Sequence, residues 1–184
     1  MPLSQLDPIP ALVVVDLQKG IVALPTARPS ADIVALSAQL ARAFRARGLP
    51  VALVNVTGIA PGRVDAHRPF APPADWAELV PEQDARPSDH RVSKQRWGAF
   101  LGTDLDAWLR AAGATQVVLC GISTSIGVES TARNAHELGY NVVLVEDAMT
   151  DMVAQAHANS VQVIFPRVGE VTDTASVLQA LQAH

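Results

Sequence analysis

The sequence predicts an α/β protein: one mostly parallel sheet with helices packed on both of its faces. Three observations carry that expectation. Short β-branched apolar runs recur along the chain, longer stretches with helical spacing separate them, and glycine or proline punctuates many of the boundaries. Ala11-Leu12-Val13-Val14-Val15 is apolar without interruption, as suits a strand buried on both faces, and it ends at the charge of Asp16. The first strand therefore delivers a carboxylate at its C-terminal end. Ser30 and Asp32 open a helix in which Ile33, Leu36, Leu40 and Phe44 recur at three- and four-residue spacing, and Gly48 closes it. Pro50 leads into a second strand over residues 51–56.

Between Gly58 and Val92 the periodicity fails. Pro61, Pro69, Pro72, Pro73, Pro81 and Pro87 exclude long helices there, and residues 75–79 offer only a short turn. A loop of that length inside a compact domain is usually functional or a lid. Thr103, with Asp106 three residues on, signals the next helix start; Leu105, Trp108 and Leu109 form its inner stripe, and Gly113 ends it. Residues 116–120 read as a strand, and residues 121–124 as a turn into a helix carrying Val128, Ala132, Ala135 and Leu138, which Gly139 stops. Residues 141–145 form another buried strand, ended by Glu146 and Asp147. Residues 151–165 admit two readings, since Val161-Gln162-Val163 alternates like a strand while Val153, His157, Val161 and Ile164 keep helical spacing. Helix is chosen, because a parallel sheet needs a crossover before the last short strand near residues 168–171. A closing helix covers residues 175–181.

Composition bounds the function. The 184 residues, 49% hydrophobic and 17% charged, suit a single domain spanning 1–184 and exclude a disordered chain. Fourteen basic against 18 acidic side chains give a net charge of −4, with Arg42, Arg45 and Arg47 as the only basic cluster, so a nucleic-acid partner is not expected. No apolar run is long enough to span a bilayer, and the first residues lack a secretory pattern. One cysteine, Cys120, excludes an intramolecular disulfide. A cytoplasmic protein with a small-molecule partner and no membrane contact is the expectation.

In an open parallel sheet, ligands bind beyond the carboxyl ends of the strands, where the strand order reverses. Asp16, the turn Gly121-Ile122-Ser123-Thr124-Ser125-Ile126-Gly127 and Asp147 are expected to gather there. A carboxylate at the end of an apolar strand is costly to desolvate and needs a partner or a task. The turn offers N–H groups to an anion or a developing oxyanion; alternatively Ser123 or Thr124 simply caps the helix.

These segments also carry a resemblance. Val14-Val15-Asp16-Leu17-Gln18-Lys19-Gly20 comes first, then Val92-Ser93-Lys94-Gln95-Arg96-Trp97-Gly98-Ala99-Phe100 with Gly102-Thr103-Asp104-Leu105, then Cys120 through Ala132, and last Gly139-Tyr140-Asn141-Val142 and Glu146-Asp147-Ala148. In this order and spacing they resemble the isochorismatase-like (cysteine) hydrolase superfamily over nearly the whole chain. The resemblance implies a three-layer Rossmann-like fold with a sheet of roughly six strands. It also implies a site built from an Asp, a Lys and, in most members, a nucleophilic Cys that attacks an amide or related carbonyl.

Asp16 and Lys94 match the first two, whereas the position of the Cys is held by Gly127. Without a thiolate there is no acyl-enzyme by the usual route. Cys120, seven residues earlier in an apolar strand, is read as a buried structural thiol, and the hydroxyls of Ser123, Thr124 and Ser125 have no histidine base in register. True isochorismatases resemble this sequence in pairing the Asp and Lys with a Gly. They hydrolyse a vinyl ether, whose protonation gives an oxocarbenium-like species that water captures. The resemblance thus makes Asp16 the acid and Lys94 the group that orients and tunes it. It assigns the oxyanion hole to the amides of Ser123 and Gly127 and places a cis peptide between Ile122 and Ser123.

The glutamine that isochorismatases place after the second strand is absent. Asn55 and Arg63, with Trp97 and Phe100, are the candidate substrate-binding residues, and Trp76 is a further candidate for an apolar wall. Asp65-Ala66-His67 is spaced like the zinc-binding Asp-x-His of nicotinamidases, with His90 as a distant third position, but further close histidines are lacking, so neither metal nor cofactor is expected. Members are commonly dimers or larger, and a homo-oligomer is expected. The competing expectation is a non-catalytic small-molecule-binding or scaffold protein derived from a cysteine amidohydrolase.

Overall fold

The computed structural model describes residues 3–65 and 71–183. One sheet of six strands has the order β3-β2-β1-β4-β5-β6. Its strands are β1 (Pro10–Val15), β2 (Val51–Val56), β3 (His90–Lys94), β4 (Gln116–Ile122), β5 (Asn141–Thr150) and β6 (Glu170–Thr172). Every neighbouring pair is parallel, as the continuous apolar runs require. The helices are α1 (Lys19–Val22, a single turn), α2 (Ser30–Ala46), α3 (Leu105–Ala111), α4 (Glu129–Glu137), α5 (Ala154–Asn159) and α6 (Thr174–Ala183). None of the described helices is long and apolar enough to cross a membrane.

Strand periodicity divides the core in two. Ala11, Val13 and Val15 of β1 enter one half, with Leu105 and Leu109 of α3 and Ala132 and Ala135 of α4. Leu12 and Val14 enter the other, against Ile33, Leu40 and Phe44 of α2 and Val177 and Leu181 of α6. The three-layer expectation therefore holds. From β1 the chain builds outward through β2 and β3, then returns to lay β4 on the opposite side of β1, which makes the C-terminal ends of β1 and β4 the switch point. Here Gly121 has φ +123° and a β-carbon on it would collide with the Val15 carbonyl, so only glycine lets the two strands close.

Several boundaries differ from the sequence reading, each for a physical reason. The edge strand β3 was not anticipated, because His90-Arg91-Val92-Ser93-Lys94 buries only Val92 and Lys94 and has no apolar run to announce it. Strand β4 extends to Ile122, and the helix beyond it starts as a wide π-type turn over Thr124–Val128. Leu138, read as carried by that helix with Val128, Ala132 and Ala135, is exposed just past the end of α4. Strand β5 does not stop at its acids. Leu119 pairs with Leu144 and Gly121 with Met149, so residues 145–148 bulge out of the pairing with β4, which resumes beyond them, while Val145 still pairs with Thr172 of β6. The helical reading of residues 151–165 is right, with α5 running into a π-type turn over Ser160–Ile164.

Candidate active site

At the switch point the chain leaves β1 through Asp16 in a left-handed conformation, φ 54°, which a residue with a β-carbon adopts at a cost. Asp16 is 5% exposed. Lys94, the last residue of β3, reaches it from two strands away: Nζ donates to Asp16 Oδ2 at 2.7 Å and to the Arg96 carbonyl at 3.1 Å. Asp16 Oδ1, itself buried, accepts no hydrogen bond from the described residues. Burial pushes the Asp16 carboxyl up to about 6, and the Lys94 ammonium only partly opposes it. The pair that the sequence suggested is thus in contact, with the carboxyl able to hold or release a proton near neutral pH.

The turn after β4 supplies the facing wall. The Ile122–Ser123 peptide is cis, as the resemblance implied. Neither Ser123 nor Thr124 caps the following helix. Instead the Ser123 carbonyl accepts from the amides of Ile126 and Val128 at 3.2 and 3.1 Å, and the turn is held from outside. Asp151 Oδ2 accepts from Ser125 N–H and Ser125 Oγ–H, both at 2.8 Å. Thr124 Oγ1 lies 2.8 Å from His157 Nδ1. This histidine partner corrects the expectation that no hydroxyl of the turn meets one: His157 is 33 residues away in sequence and arrives on α5. Thr124 is wholly buried and does not line the cavity, so the contact is structural. A β-carbon on Gly127 would stand 3.1 Å from Asp16 Oδ2 and 3.0 Å from Val15 Cγ1. Glycine is what leaves the carboxyl this close to the turn.

Between these walls lies a cavity of about 230 Å³, lined by Asp16, Lys94, Ser123 and Gly127, by Gln95, Arg96 and the two tryptophans Trp76 and Trp97, and by Ile59, Ile126 and Met152. Trp76 is held there by Gln18, a fully buried side chain that donates to the carbonyls of Val56 and Trp76 at 3.0 and 3.2 Å and accepts from Val56 N–H at 2.7 Å. The described part of the long loop is therefore strapped in place over residues 76–80, with Lys19 N–H bonded to Glu78 and Val80 N–H to Leu17.

Other candidates fall elsewhere. Phe100 is buried against Tyr140 in the core, because it follows the buried Gly98-Ala99 rather than the exposed Gln95-Arg96-Trp97. Asn55 donates to the Ala77 carbonyl at 2.9 Å and accepts from Ser93 Oγ. It lines a separate hollow of about 550 Å³ that shares no residue with the Asp16 cavity. That hollow is the larger one, yet it holds no counterpart of the Asp16–Lys94 pair. Arg63 is exposed and does not line the cavity.

Asp147 is not at the site. Its Oδ1 accepts from Thr174 N–H and Oγ–H at 2.7 and 2.8 Å, which caps α6. His90 stacks on Trp108 with ring centroids 4.5 Å apart and pairs with Asp104, at the opposite end of β3 from Lys94; His67 lies outside the described residues. Cys120 is wholly buried and its thiol is pushed up to about 12, chiefly by burial, in keeping with a structural thiol. The sequence reading passed over Gln18, Gln95, Arg96 and Asp151. Only the first three were signalled, by lying within the segments that flank Asp16 and Lys94.

The buried Asp–Lys pair and the turn after β4 thus face each other at the switch point of the parallel sheet, where open α/β sheets bind their ligands. The isochorismatase domain matches residues 10–176, and the chain belongs to the isochorismatase family as a hydrolase. It is 44% identical over 180 residues to the uncharacterized isochorismatase family protein YecD of Escherichia coli O157:H7, covering 93% of this chain and 95% of YecD. A solved isochorismatase family protein from Burkholderia thailandensis superposes with a TM-score of 0.90 at 45% identity, over 98% of each chain. Ureidoacrylate amidohydrolase RutB of Agrobacterium fabrum is 37% identical over 108 residues, which is 56% of this chain and 47% of RutB.

Proposed function

We propose that this hydrolase cleaves a vinyl-ether or related bond of a small metabolite by acid catalysis on Asp16, with no covalent enzyme intermediate. The observation that carries the reading is the state of Asp16: buried, lining the cavity, raised to about 6, with Lys94 on Oδ2 and Oδ1 unpartnered among the described residues. The Asp16 carboxyl then bears the proton. Its transfer to the enol-ether carbon leaves a carboxylate that the Lys94 ammonium stabilises, and an oxocarbenium-like substrate. Water adds to that cation and loses its proton to Asp16, and the hemiketal breaks down to a carbonyl compound and an alcohol. Glycine at position 127, which the resemblance aligns with the nucleophilic Cys, suits this route because no thiolate is needed. The amides of Ser123 and Gly127 receive the substrate oxygen. A cavity of about 230 Å³ suits a small metabolite.

The test is pyruvate release from isochorismate by the purified chain, with Asp16→Asn as the control. Release that falls by about 10³-fold or more in the variant is the expected result. Undiminished release in Asp16→Asn would overturn the mechanism, and no release by the unaltered chain would remove isochorismate as its substrate.

A further inference from the structure

We propose that Asp151 is a positioning residue: the connection from β5 to α5 braces the turn that carries Ser123 and Gly127 and sets its place opposite Asp16. Its catalytic consequence rests on the hydrolase reading above, but the brace is read from geometry alone. Asp151 is 2% exposed and does not line the cavity, so it touches no substrate. Three donors converge on its two oxygens: Ser125 N–H and Oγ–H on Oδ2, and Val153 N–H on Oδ1 at 3.2 Å. No described cation forms an ion pair with it. The backbone is anchored too, since the Asp151 carbonyl accepts from Ala27 N–H at 2.8 Å. One position earlier in the turn, Thr124 meets His157 of α5, the helix that this connection leads into.

A carboxylate is the side chain that accepts all three donors at once. The isosteric amide keeps one acceptor oxygen and turns an NH₂ group toward a donor, so Asp151→Asn has to break a bond or shift the turn while hardly changing volume. A displacement of the turn moves Gly127, whose environment includes Asp16 Oδ2. Misplacement on that scale, far from the chemistry, is what lowers kcat without weakening binding.

The experiment uses the full chain carrying Gly127→Cys as a reporter, because the native Cys120 thiol is buried and raised to about 12. The pH dependence of its alkylation by iodoacetamide is followed with and without Asp151→Asn or Ser125→Ala, and the melting temperature is recorded for each. Separately, kcat and KM for isochorismate are measured in the Gly127 background. The expected result is a change of about threefold or more in alkylation rate at neutral pH for Asp151→Asn, and a smaller one for Ser125→Ala, which keeps the backbone bond. In the Gly127 background kcat falls about tenfold while KM stays within about twofold. Superimposable alkylation profiles, with only the melting temperature lowered, would overturn the brace. Alkylation needs no substrate, so a chain that turns over nothing would cost the hydrolase reading and leave the brace decided by the thiol. Should Asp151→Asn fail to fold, the Ser125→Ala shift decides alone.

Discussion

Asp16 and Asp151 are both buried acids at the carboxyl end of the sheet, 5% and 2% exposed, yet their surroundings differ in kind. Asp151 collects three donors and no described cation. Asp16 has one cation, Lys94, and an Oδ1 that no described group satisfies. Burial costs a carboxylate its hydration in either place; donors meet both oxygens of Asp151 but only one of Asp16. The lesson is that burial alone does not mark a reactive acid. The count of donors sets apart a carboxylate tied down on both oxygens from one that keeps an open oxygen. The backbone agrees, since Asp16 and not Asp151 sits in the left-handed region.

The sharpest way to break this contrast is the pH profile of turnover, set beside the loss of about 10³-fold or more expected for Asp16→Asn. An acid raised to about 6 is protonated below that value. The rate should therefore be level below about 6 and fall about tenfold per pH unit above it. A rate that instead rises through the same region would make Asp16 a base, the role an amide-hydrolysing reading would give it. Next in size is Lys94→Met, which removes the charge and hydrogen bond that hold the Asp16 carboxyl down. Its turnover should fall by about 10²-fold, with the descending limb moved to higher pH.

Asp151→Ala should show the opposite signature. It strands the donors of Ser125 and Val153, and urea titration should report a loss of about 2 kcal/mol, a cost of stability first and of rate second. The smallest effect belongs to Arg63→Ala. Its side chain is exposed and does not line the cavity, so KM should move by less than about twofold in steady-state assays.

The legible part of the site follows the same divide. Asp16 could be read because a charge ending the run 11–15 breaks a local rule, and Lys94 because its flanking motif is specific. The two do meet, although 78 residues separate them. Phe100 was misassigned because an aromatic residue beside a motif is equally suited to a core, and its neighbours Gly98 and Ala99 carry it inward. Asp147 was expected at the site because the bulge in β5 leaves no mark in a sequence of apolar residues followed by acids. The same bulge extends β5 toward Asp151, which no local pattern announces. Strand β3 was missed for want of apolar residues, as edge strands often are.

By itself the sequence determined the α/β class, the parallel core strands, the principal helices and the identity of the Asp–Lys pair. Each of these is written in local periodicity or in a motif, and burial on both faces of a strand demands the pattern that reveals it. Only the tertiary structure decided which acids were satisfied, which aromatics faced the cavity and which remote side chains, Gln18, Asp151 and His157, fixed its walls. Those outcomes depend on donors and acceptors that meet across 26 to 58 residues of chain, and no local pattern encodes a contact whose partner is supplied by the fold.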